Sequence, residues 1–179
     1  MIVELALLLL GAQPDGATQQ PRERFMICPG HPRCPRSGSG ESGEVDFGLA
    51  PNYGSVTLNG GFVPDPRVLR LRSGGPVDAA TVQPDCTGFV SRAPDLRLAY
   101  RAEGLPLTIT AVGANVSLLI NSPDGQWHCT PLSATGAAYR FERPASGRYD
   151  IWVGAPRGGG ASVELRISEL ENVGSARRD

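Results

Sequence analysis

From residue 52 to residue 170, apolar and polar residues alternate in short runs instead of recurring every third or fourth position. Val163, Leu165 and Ile167 are interleaved with Glu164 and Arg166, and Tyr149, Ile151 and Val153 with Asp150 and Trp152. A period of two puts alternate side chains on opposite faces of an extended chain, so these runs predict strands. The same reading predicts strands at residues 53–58, 68–71, 86–90, 96–100, 107–111, 116–120, 126–129, 138–141, 149–153 and 162–167. Between them lie turn signals such as Pro123-Asp124-Gly125, which suits a hairpin. Short strands at this spacing predict an all-β domain, an antiparallel two-sheet jelly-roll-like β-sandwich with an extended N-terminal arm.

The ends break the alternation. Residues 1–12 are apolar apart from Glu4. That run is shorter than the ~20 residues a membrane-spanning helix requires. It has the length of a secretory signal's apolar region but no basic start, and neither Gly11-Ala12 nor Gly16-Ala17 makes a small-x-small cleavage pattern. The expectation is a signal whose start is truncated or misassigned; a short amphipathic or core segment is the alternative. Residues 13–51 are rich in Pro, Gly, Ser and charge and predict a flexible arm, residues 52–170 the folded domain, and residues 171–179 a tail. No other segment is a candidate transmembrane helix, so no integral membrane span is expected.

Charge narrows the function classes. The chain carries 17 basic residues, every one arginine, against 18 acidic ones. Such balance argues against a nucleic-acid binder, which needs a net basic face. The lack of lysine also removes Schiff-base and phosphate-loop lysine chemistry.

The segments Gly61-Phe62-Val63-Pro64-Asp65-Pro66, Cys86-Thr87-Gly88-Phe89-Val90, Ala93-Pro94-Asp95-Leu96-Arg97-Leu98, Leu105-Pro106-Leu107-Thr108-Ile109, Leu118-Leu119-Ile120-Asn121-Ser122-Pro123-Asp124-Gly125 and Gly147-Arg148-Tyr149-Asp150-Ile151-Trp152-Val153-Gly154 occur in that order. In this order they resemble the bacterial pre-peptidase C-terminal domain family. The resemblance covers nearly all of the proposed domain and none of the first fifty residues. It implies a jelly-roll-like sandwich that is non-catalytic and extracytoplasmic, and that aids secretion, folding, substrate approach or contact with a partner. Some relatives carry calcium through acidic side chains near a strand pair. Here residues 130–135 contain no carboxylate and position 115 is Asn. Calcium takes six to eight oxygen ligands, several of them usually charged, so no calcium site and no cofactor are expected. Around Cys86 and Cys129 the sequence follows the family's pattern, and the expectation is a disulfide between two strands; two buried free thiols are the alternative.

Candidate chemistry is sparse. Cys28-Pro29-Gly30-His31-Pro32-Arg33-Cys34 suggests a local disulfide of Cys28 with Cys34. A zinc site on Cys28, His31 and Cys34 would need a fourth ligand that no second Cys or His pair supplies. The two histidines, His31 and His128, give a catalytic triad little to build on. Gly38-Ser39-Gly40 lacks the flanking strand and helix of a nucleophile turn, and Gly158-Gly159-Gly160 lacks the spacing of a phosphate loop. Asp124 is expected in a turn, and Asn115-Val116-Ser117 matches a glycosylation acceptor by pattern alone.

Three functional expectations follow. The first is a periplasmic or extracellular accessory module that docks on a protein partner or surface, with no enzymatic activity. The second is a glycan- or peptide-binding module, which needs the candidate ligand-binding rings Trp127, Tyr149 and Trp152 exposed together; on strands such rings are more often core or cross-strand packing partners, which is the alternative. The third is a hydrolase, which needs a cleft gathering His128 with a serine or carboxylate.

Overall fold

The computed structural model describes residues 43–170, which form eleven strands and no α-helix. They are β1 (Ser55–Asn59), β2 (Arg67–Arg72), β3 (Val77–Asp78), β4 (Phe89–Val90), β5 (Leu96–Arg101), β6 (Leu107–Val112), β7 (Ser117–Asn121), β8 (Trp127–Cys129), β9 (Ala137–Phe141), β10 (Gly147–Gly154) and β11 (Ser162–Ser168). One sheet has the order β1-β5-β10-β7-β8 and the other β2-β11-β6-β9, and β3 and β4 form a separate pair. This is the two-sheet sandwich expected from the alternation. All pairings are antiparallel except β1 with β5, which is parallel.

The inward residues of both sheets meet in one core. Leu96, Leu98, Ile120, Ile151 and Val153 come from the first sheet, and Leu107, Ile109, Leu165 and Ile167 from the second. Burial of this apolar surface is the main favourable term in folding, at roughly 25 cal/mol per Å².

A second apolar cluster lies on the other face of the five-stranded sheet. Leu119 and Trp152 pack there against Val77, Ala79, Cys86 and Val90. The covering segment comes very close: Gly88 takes φ +97°, and a Cβ on it would sit 2.6 Å from Ser117 Oγ. A side chain at residue 88 would therefore lift the cover off the sheet. Cys86 lies in a loop rather than on the strand expected at residues 86–90, and β3 was not anticipated. The Cys86–Cys129 disulfide joins this cover to β8.

The fold begins earlier than residue 52. Asp46 N donates to Arg92 O, Val45 packs on the outer cluster, and the carbonyls of Phe47 and Leu49 accept bonds from arginines. The end of the expected arm is thus seated on the sheet. The apolar segment 1–12, Cys28, His31, Cys34, Gly38-Ser39-Gly40 and the tail 171–179 lie outside the described residues. Among the described residues, no helix is long and apolar enough to cross a membrane.

Candidate functional site

Tyr53, just before β1, accepts a hydrogen bond from Arg72 N of β2, and His128 of β8 packs on Tyr139 of β9, so β1 and β2 end the sheets at one side of the sandwich and β8 and β9 at the other. At the β1 side the parallel ladder fixes which backbone groups are used. Gly54 O accepts from Arg97 N at 3.2 Å, and Gly60 N donates to Arg101 O at 2.8 Å. Backbone polarity alternates along a strand, so Val56 and Leu58 also turn their N–H and C=O toward β5. Ser55, Thr57 and Asn59 turn theirs away, onto the free edge. Their side chains are exposed, whereas Val56 and Leu58 are half-buried against the core.

A groove of ≈370 Å³ runs along this edge, lined by residues 55–58, by Phe62, Val63 and Pro64 of the following loop, and by Arg67. Val63 is 91% exposed at its rim. Arg67 shares the strand parity of Leu69 and Leu71, so it points to the space between the sheet edges. The loop is held from below: Gly61 N donates to Glu169 Oε2, Glu169 Oε1 accepts from Tyr100 Oη, and Glu169 N donates to Asp65 Oδ2. The alternation at residues 53–58 indicated a strand at β1 but not that it ends a sheet.

The opposite side is filled with rings. Tyr139 and Phe141 of β9 lie 5.0 Å, centroid to centroid, from the His128 ring on β8. His128 Nδ1 is 2.8 Å from Tyr139 Oη, and its Nε2 is 2.9 Å from Ser122 Oγ. Burial lowers the imidazole's pKa from its ordinary value. The hydrogen bonds from Ser122 and from the Gln126 backbone lower that of Asp124, so its carboxylate is ionised. Asp124 Oδ1 lies 2.5 Å from Ser122 Oγ and can only accept, so the serine proton points to it. His128 then donates through Nε2 to Ser122 and accepts at Nδ1 from Tyr139. Structure thus gathers His128 with a serine and a carboxylate, as a hydrolase would require. Yet a nucleophilic serine must hand its proton to the imidazole, and this chain of bonds runs the other way. Ser122 is also buried.

The three candidate rings do not form an exposed platform. Tyr149 is 1% exposed and Trp152 0%, because they sit on opposite faces of β10 and both faces are covered. Tyr149 joins the sandwich core, while Trp152 packs 5.4 Å from the half-buried Trp127. Phe47 closes over Trp127 at 6.3 Å.

Two further polar clusters are mutually satisfied. Arg97 and Arg148 bind the buried Asp150 at 2.7 and 2.6 Å and reach on to Phe47 O, clamping residues 47–49 to the sheet. Near Gly158-Gly159-Gly160 a cavity of ≈330 Å³ is bordered by Tyr53, Arg72 and Asp95. There Tyr53 Oη accepts from Arg72 N and Arg72 Nη2 donates to Gly160 O. Asp95 accepts from Asn52, Ser91 and Val153 N, while its burial raises its pKa. Asp124 lies in the expected turn, with Gly125 N donating to Ser122 O, and Asn115 adopts φ +55° just before the buried Ser117.

Among the described residues, the open β1 edge is therefore a surface with backbone hydrogen-bonding capacity beside a groove. No family model matches the chain, and no curated protein matches it.

Proposed function

We propose that the protein is a non-catalytic, exported accessory module that docks on a protein partner by accepting one of the partner's strands at β1. The outward backbone groups of Ser55, Thr57 and Asn59, open beside the groove, carry this reading. An unpaired edge is a template for another strand: main-chain bonds supply affinity and the flanking groove supplies selectivity. The resemblance to pre-peptidase C-terminal modules supports an accessory role. The Cys86–Cys129 disulfide supports a periplasmic or extracellular compartment, where such bonds persist. The direction of the Ser122–His128 hydrogen bond supports the absence of catalysis. Burial of Tyr149 and Trp152 weighs against a glycan platform, and the peptide-binding alternative merges with strand addition.

The test is a photo-reactive residue at Thr57 in the full-length chain, with cross-links in exported fractions mapped by mass spectrometry. Stoichiometric linkage to one partner is expected. Recovery of folded chain without any intermolecular link at residue 57 would contradict the proposal.

A further inference from the structure

We infer that the strand accepted at β1 is acidic: an extended segment of a partner protein with carboxylates on both of its faces. This rests on the docking reading above and adds the chemical class of the partner. Two arginines flank the site from opposite faces. Arg67 lines the groove on the side between the sheets. Arg101 stands opposite Asn59 in the β1–β5 register and shares the outward parity of Arg97 and Ala99. Both are exposed, and among the described residues neither guanidinium has a hydrogen-bond or ion-pair partner. The carboxylates of Asp65 and Glu169 lie beneath the loop, where they accept from backbone N–H groups and the Tyr100 hydroxyl, so the exposed charges beside the edge are Arg67, Arg101 and Glu103.

Charge also selects among occupants. A second copy would offer its own β1, Ser55–Asn59, which carries no carboxylate to meet Arg67 and Arg101. Residues 13–42 of this chain carry Arg22, Arg24, Arg33 and Arg36 against Asp15, Glu23 and Glu41, so they offer no net negative charge. An acidic strand is the occupant that the arginines attract.

The probe is a fluorescein-labelled, end-blocked Thr-Glu-Glu-Val-Glu-Glu-Thr peptide, which carries carboxylates on both strand faces, titrated into the full-length protein by anisotropy beside its Lys-for-Glu counterpart. The acidic peptide is expected to bind at least about tenfold more tightly than the basic one, and to weaken by about tenfold in Arg67→Glu/Arg101→Glu and with rising salt. Methylating alternate backbone nitrogens of the peptide should abolish binding without altering the protein. Equal binding of both peptides would overturn the acidic class while leaving edge docking intact. If neither binds, the segment linked to residue 57 decides: an excess of carboxylates upholds the inference, their lack overturns it, and no link at all removes the docking reading too.

Discussion

The two flanks of the sandwich end their sheets in opposite ways. At the β8–β9 flank, His128, Tyr139 and Phe141 bridge the sheet edges, and the disulfide ties β8 to the outer cover. At the β1–β2 flank Tyr53 bridges to Arg72 N ahead of β1, and beside β1 itself a groove lies between the edges. A sheet edge closed by side chains is spent on stability, whereas one left open keeps its main-chain bonds for a partner. The difference assigns structural work to one flank and recognition to the other.

The largest effect should come from releasing the closed flank's covalent tie. Cys86 and Cys129 are 43 residues apart. Closing a loop of that size contributes ~4 kcal/mol on the chain-entropy model. Replacing both with Ala should lower stability by that order in urea unfolding. Phe141→Ala comes next, because its ring packs on His128, Tyr139 and Tyr149. A loss of ~3 kcal/mol is expected, at the low end for aromatic truncation because Phe141 is half-buried. If Phe141→Ala left stability unchanged, the closed flank would not be the structural one.

Thr57→Pro sharpens the contrast from the other side. Its N–H faces the free edge, where proline is tolerated, so stability should change by less than ~1 kcal/mol. Acidic-peptide binding should disappear. A variant that unfolds would show that the edge is already paired.

The smallest effect is the pH dependence of the closed flank. His128 has a folded pKa below its ordinary 6.5, so the unfolded chain binds the proton more readily. Its contribution to stability is full above pH 6.5 and is lost as pH falls through 6.5 toward the lowered folded value. His128→Gln should flatten the part of the stability profile in that window, read by thermal unfolding at a series of pH values. An unchanged slope would mean that the imidazole is not the group titrating.

Strand existence was legible because period-two alternation is a local property, and the core residues Val163, Leu165 and Ile167 follow it. Which strand neighbours which is not local, and the parallel docking of β1 on β5 leaves no mark within residues 55–59. The outer cluster was hidden for a related reason. Its cover runs through a two-residue strand, a 3-10 turn and a two-residue strand, too short for any period to emerge. Packing of Tyr149 and Trp152 in a core or across strands was within reach, but parity sets them on opposite faces and does not say what covers Trp152. The contact of Ser122 with His128 was closer to hand, since both flank the Pro123-Asp124-Gly125 turn and a hairpin brings them together. At the candidate site, the signal within reach was Arg67, a charge at the parity of Leu69 and Leu71.

Residue-resolved amide exchange along β1, in the full-length protein with and without the acidic peptide, tests the central claim most directly. Rapid exchange at Ser55, Thr57 and Asn59 beside protected Val56 and Leu58 is expected in the free protein, with the three becoming protected on binding. Protection at Ser55, Thr57 and Asn59 in the free protein, or none gained on binding, would contradict docking at this edge.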